Sequence, residues 1–163
     1  MTPQALPYRE NVGMVLFNHA GRVFIGRRAN LPANAPNLGS WQFPQGGIDP
    51  GESARDALWR ELHEEIGTTR ANLLSEHPAW LTYDLPADIQ PQVWGGRYRG
   101  QRQRWFALRF AGDDADIRLD AHPPPEFDAW AWADLAAVPG LVVGFKRQVY
   151  DRLARDFAHL AAP

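Results

Sequence analysis

The chain predicts a single α/β domain, residues 1–163, built as a mixed β-sheet held between helices. Three observations carry that reading. Strand-like segments, a helix, further strands and a final helix follow one another without a repeat or a low-complexity linker. Two segments place apolar residues every three or four positions, one ending near Ile66 and one running from Phe145 to Leu160. The composition is 45% hydrophobic with no cysteine, enough for a core that needs no covalent staple.

Asn11 to Phe17 reads as a buried strand, Asn18 to Gly21 as its turn, and Val23 to Gly26 as the return arm of a hairpin. Residues 29–40, rich in Ala, Asn and Pro, read as a surface loop. Trp41-Gln42-Phe43 is a short strand running into Pro44-Gln45-Gly46-Gly47. Residues 53–66 carry a helix, with Ser53 as its cap, Asp56 three positions on, a Leu58, Leu62, Ile66 stripe and Gly67 as its stop. Ala79 to Leu85 and Gln103 to Phe110 read as strands, with Trp94 to Gly100 as a loop or hairpin tip between them. Three prolines make His122 to Pro125 a rigid loop. Phe127 to Trp132 alternates as a strand, and the last helix begins near Gly144 with Phe145, Val149, Leu153, Phe157 and Leu160 on its apolar face.

Seventeen basic against nineteen acidic side chains give a net charge of −2, which argues against coating nucleic acid through bulk charge. A local basic cleft stays open. The absence of cysteine excludes thiol nucleophiles and cysteine-held zinc or iron–sulfur centres. The N-terminal residues have no signal-peptide pattern, and apolar runs such as Val12 to Phe17 are far too short to span a bilayer. The expectation is a soluble, cytoplasmic domain.

The segment from Gly46 to Thr68 holds the chemistry. On a helical wheel Glu61, Glu64 and Glu65 fall within a sector of about 100° that borders the Leu58, Leu62, Ile66 stripe, so the acids should edge a cleft. Like-charge pairs at i,i+3 and i,i+4 each cost an isolated helix roughly 0.2–0.5 kcal/mol, and something should offset that. Arg60 supplies part of it, four residues before Glu64. A divalent ion does it better, and with His63 on the far side of the wheel an oxygen-seeking ion such as Mg²⁺ is favoured over zinc. Gly46-Gly47 and Pro50-Gly51 permit a tight loop whose backbone can approach a metal or a phosphate.

These residues resemble the Nudix box, G-x5-E-x7-R-E-U-x-E-E-x-G-U with U apolar. Gly46, Glu52, Arg60, Glu61, Leu62, Glu64, Glu65 and Gly67 fit at the required spacing, and Thr68 alone departs, where an apolar residue is usual. The resemblance implies a Nudix-type α/β/α sandwich and a metal-dependent hydrolase of phosphoanhydrides. It implies that Glu61, Glu64 and Glu65 hold Mg²⁺ (or Mn²⁺) with help from the Gly46 carbonyl, and that Glu52 supports the loop and helix through Arg60. Anhydride cleavage develops charge on phosphate oxygens, which metals and cations neutralise.

Tyr8-Arg9, Trp41 to Gly47, Gln101 to Phe106, Pro125 to Asp128 and Val143 to Arg147 resemble one Nudix subgroup. It comprises bacterial RNA 5′-pyrophosphohydrolases and plant-type asymmetrical diadenosine tetraphosphate hydrolases. Trp94-Gly95-Gly96 with Gly100-Gln101 leans toward the dinucleotide enzymes. The implied substrates are dinucleoside polyphosphates, 5′-triphosphorylated RNA ends, or both. The resemblance adds Glu126 as a metal ligand or general base, leaving the base open among Glu61, Glu65 and Glu126. It makes Arg9, Arg28, Arg104 and Lys146 candidate phosphate or base contacts, with Arg27 a rival to Arg28 because strand neighbours face opposite ways. Tyr83 and Phe145 are candidate base-stacking residues. His19, His77, His122 and His159 match no ligand spacing. A nucleoside triphosphate pyrophosphatase and a non-catalytic nucleotide- or RNA-binding module are the alternatives, the second weakened because every box carboxylate is present.

Overall fold

The computed structural model describes residues 5–29 and 40–161. Residues 30–39, most of the loop expected over 29–40, lie outside them. The described residues form one eight-stranded mixed sheet with a helix on each face. The strands are β1 (Tyr8–Phe17), β2 (Val23–Arg28), β3 (Trp41–Gln42), β4 (Gln45–Gly47), β5 (Ala71–Glu76), β6 (Leu81–Asp84), β7 (Gly100–Phe110) and β8 (Phe127–Ala133). The helices are α1 (Ala54–Ile66) and α2 (Arg147–Asp156).

β1 is the spine. It pairs in parallel with β7 along its whole length, from Tyr8 opposite Gly100 to Phe17 opposite Arg109. Its other edge is shared: Asn11, Val12 and Gly13 pair with β4, and only Phe17 pairs with β2, opposite Val23. The expected β1–β2 hairpin is therefore a brief contact. β2 leaves it to pair antiparallel with β8 and β3.

Strand alternation builds two cores. Val12, Met14 and Leu16 of β1 face α1, where they meet Leu58, Leu62 and Ile66. Val15 and Phe17 face α2 with Trp105, Val149, Tyr150 and Leu153. α1 starts as its sequence dictates, with the Ser53 hydroxyl accepting from the Asp56 N–H at 3.1 Å. It stops at Gly67, whose φ of 78° lies in the left-handed region that favours glycine. Thr68, the departure from the box, is buried and its hydroxyl accepts from the Arg70 N–H at 3.1 Å.

β5 was not foreseen. Its alternation is masked by Asn72, Ser75 and an irregular register against β7 between Leu73 and Ser75. The connection between β6 and β7, which includes the Trp94 to Gly100 loop, contains one-turn helices at Gln90–Gln92 and Trp94–Gly96. No helix among the described residues is long and apolar enough to cross a membrane.

One core contact steers the chain into the site. The Phe43 N–H donates to the buried Tyr150 hydroxyl at 3.0 Å, and the two rings stack 4.9 Å apart. Tyr150→Phe keeps the stack and leaves that N–H without its acceptor. The expected cost is about 1–3 kcal/mol in urea denaturation, and an unchanged midpoint would remove this anchor.

Candidate active site

Arg60 organises the loop between β4 and α1. Its Nε and Nη2 donate to the two oxygens of Glu52, each at 2.8 Å. Nη2 also donates to the Gly47 carbonyl at 2.8 Å, while Nη1 reaches Glu61 at 2.8 Å and Glu64 at 3.4 Å. The Arg60 fork holds the Glu52 carboxyl down at about 2, helped by the Asp49 N–H. Glu52 thus ties loop to helix, the role expected of it.

A polar cavity of about 350 Å³ opens beside this loop. Glu61, Glu65, Glu126, Arg9, Arg28, Lys146, Tyr83 and Gly46, eight of the expected site residues, line it. Glu65 goes deeper than the cleft edge expected of it, at 5% exposure, with one carboxyl oxygen accepting from the Gln45 N–H at 3.2 Å. Burial first, then the charges of Glu61 and Glu126, push its carboxyl well above the usual range. Burial raises Glu61 too, against the pull of Arg60. At Gly46 any Cβ would lie within 2.3 Å of the Glu61 carboxyl, so only glycine lets the backbone come this close.

Glu126 is placed by strand pairing as well as by the prolines before it. Its carbonyl accepts from the Ala29 N–H at 2.9 Å, and the next residue, Phe127, pairs with Arg28. Alternation resolves the choice on β2: Arg28 faces the cavity, and Arg27 points away to Asp128 at 2.6 Å. Arg9 donates to Gln101 at 2.7 Å and lies 5.1 Å from the Trp94 ring. Lys146 is buried and donates to Gln42 at 3.3 Å. Burial, aided by Arg28 and opposed by Glu126, pulls its ammonium down to about 7.

Three expected residues stand elsewhere. Arg104 does not enter the cavity: it is ion-paired with Glu76 and stacked over Trp80, 5.3 Å from the ring centroid. The reason is the pleat, since Gln101 and Gln103 occupy the cavity-side row of β7. Glu64 is held by Arg60 and does not line the cavity. Phe145 borders a neighbouring depression with Thr82, Asp84 and Gln148, its ring 5.7 Å from that of Tyr83. Among the described residues no three carboxylate or imidazole groups already form a closed metal cage. The donor set still fits a hard cation: carboxylates raised by burial and mutual charge, with a backbone segment pressed against one of them.

Sequence reasoning missed the amides. Asn11, Gln42, Gln45 and Gln101 also line the cavity, and Gln103 bonds to Gln45 at 2.7 Å. Gln42, Gln45 and Gln101 stand in segments that resemble the subgroup, and Asn11 shows in the sequence as the polar first residue of an apolar strand.

A mixed sheet between two helices, with a carboxylate helix facing a cation-lined cavity, defines a Nudix-type hydrolase. The chain belongs to the NUDIX domain family, whose model matches residues 7–153. Hydrolases of this family work with a divalent metal ion. A relative from Gluconacetobacter diazotrophicus named RNA pyrophosphohydrolase is 58% identical, covering 97% of this chain and 96% of its own. Another of that name from Rhodospirillum rubrum is 50% identical, over 100% and 98%. In fold the chain is similar to the E. coli dihydroneopterin triphosphate pyrophosphohydrolase, with a TM-score of 0.67 at 20% identity, over 92% of this chain and 99% of that one.

The buried Lys146 makes stability depend on pH. Its ammonium titrates near 10.5 when unfolded and about 7 when folded, so the stability it permits is complete above 10.5 and lost as pH falls to about 7. Lys146→Met should therefore melt higher than the parent at pH 7 and below, by about 3 °C or more, with the gap closing toward pH 10.5. A gap that does not vary with pH in calorimetry would refute the assignment.

Proposed function

We propose that this chain is a Mg²⁺-dependent RNA 5′-pyrophosphohydrolase that releases pyrophosphate from 5′-triphosphorylated RNA ends in the cytoplasm, as one catalytic unit over residues 1–163. The near full-length identity of 58% to a protein named RNA pyrophosphohydrolase carries this reading. The cavity supports it, because it sets three cations beside three carboxylates, as a site for a polyanion and a metal ion requires.

Glu61, Glu65, Glu126 and the Gly46 carbonyl line the cavity and would hold Mg²⁺, or Mn²⁺, with Glu64 joining them by exchanging Arg60 for the ion. The bound ion would polarise a phosphoryl oxygen and favour ionisation of water. Arg9 and Arg28 draw the phosphate chain in with forked donors, and Lys146 adds a point charge at the buried end. Water attacks a phosphorus, a new P–O bond forms, the anhydride P–O bond breaks, and pyrophosphate leaves. One of Glu61, Glu65 and Glu126 accepts the water proton. Tyr83 and Phe145, ring against ring, form a surface on which a nucleobase can stack. Arg104 has no part in this reading.

Diadenosine tetraphosphate is the second reading. Trp94, in the segment that leans toward dinucleotide enzymes, lines the cavity beside Arg9 and offers a further ring for a second base.

The test is product analysis by mass spectrometry in ¹⁸O-water with Mg²⁺, on a short triphosphorylated RNA and, separately, diadenosine tetraphosphate. RNA should yield its 5′-monophosphate and pyrophosphate far more efficiently than the dinucleotide yields ATP and AMP. The reverse order would transfer the protein to the dinucleotide reading. Glu65→Gln, neutral and nearly isosteric, should lower kcat about 100-fold or more while circular dichroism and melting stay native. Full turnover in that variant would remove Glu65 from the chemistry.

A further inference from the structure

We propose that Asn11 is a substrate-binding residue, its side-chain amide donating to a non-bridging oxygen of the phosphate chain where β1 runs beside the Gly46–Gly47 segment. The inference rests on the reading of the cavity as a polyphosphate site.

Asn11 is 1% exposed, yet neither its Nδ2 nor its Oδ1 has a partner, and no other buried side-chain nitrogen or oxygen among the described residues is in that position. An unsatisfied buried polar group destabilises the fold, and an apolar side chain of the same shape would remove that cost. The surrounding amides are committed. Gln101 donates to the Tyr83 hydroxyl and accepts from Arg9, Gln103 accepts from the Trp105 indole and donates to Gln45, and Gln42 accepts from Lys146. The other buried amides around the cavity are paired. Asn11 is not.

Its position says what the amide is kept for. On β1 it falls in the same row as Arg9 and faces the cavity. It lies opposite Gly47, and its neighbour Val12 lies opposite Gly46, the residue pressed against the Glu61 carboxyl. Asn11 therefore stands at the carboxylate end of the cavity, where a phosphate would be cleaved. A neutral N–H donor there binds a phosphoryl oxygen directionally without adding charge to a site already crowded with both signs, and Oδ1 remains free to accept from water.

Asn11→Leu tests this, because a ligand-serving amide and a structural one respond oppositely. The free variant should melt at or above the parent temperature. Its kcat/KM on triphosphorylated RNA should fall about 10- to 100-fold, and the thermal stabilisation that imidodiphosphate with Mg²⁺ gives the parent should shrink. Lower melting without any change in the imidodiphosphate response, or parental kcat/KM, would overturn the proposal. Should the leucine variant not fold, Asn11→Asp keeps the shape and replaces the donor by a repelling carboxylate. It should show the same losses, and parental turnover in it would equally overturn the assignment. A parent that binds imidodiphosphate through Asn11 but leaves RNA intact supports the role of Asn11 and removes the RNA substrate, so the two readings fail separately.

Discussion

The site depends on one guanidinium. Arg60 holds both oxygens of Glu52, the Gly47 carbonyl, Glu61 and Glu64, so a single side chain joins the β4–α1 loop to three acids. Three glutamates on one side of a short helix would repel one another and fray the turn that carries them. Arg60 converts that repulsion into a fixed arrangement, and only a planar fork with several donors can serve so many oxygens together. Lysine would satisfy one or two. The loop geometry in turn lets Gly46 approach Glu61, so Arg60 sets the backbone as well as the charges.

Around that hub the molecule separates stability from function. The two cores on either face of the sheet contain Trp105, Phe106, Phe17 and Leu58 with no exposure at all, and they carry the hydrophobic stabilisation. The cavity works against it. Glu65 and Lys146 are ionisable groups whose charged forms burial disfavours, and Asn11 has no partner. A fold with a well-packed core tolerates a few such groups, and their collection in one cavity marks where the molecule meets its ligand.

The sequence made the acids legible because their spacing carries both period and charge. Glu61, Glu64 and Glu65 beside Leu58 and Leu62 announce a helix with an acidic edge, and Ser53 and Gly67 announce its ends. Arg104 shows the limit. It stands in a segment full of matching residues, but a pleat sends it to Glu76 while Gln101 and Gln103 take the cavity face, and register alone decides that. β5 was hidden for a related reason: its pairing with β7 is irregular, so its residues do not alternate cleanly. Asn11 looked like a polar start to an apolar strand. Its meaning comes from what is missing around it, which only three dimensions reveal.

Charge balance then says how ligands must enter. Arg9, Arg28 and Lys146 face Glu61, Glu65 and Glu126 across one small cavity. A polyphosphate arriving alone would be drawn by the cations and repelled by the acids. A divalent cation arriving alone would meet the converse. Each ligand supplies the charge that the other needs, so phosphate and metal should bind more tightly together than either does separately. Lys146 sharpens this coupling: burial weakens its hold on a proton, and an incoming phosphate restores it by placing negative charge within the same cavity. The buried charges that cost the free protein stability are thus the ones whose energy is recovered when both ligands are present.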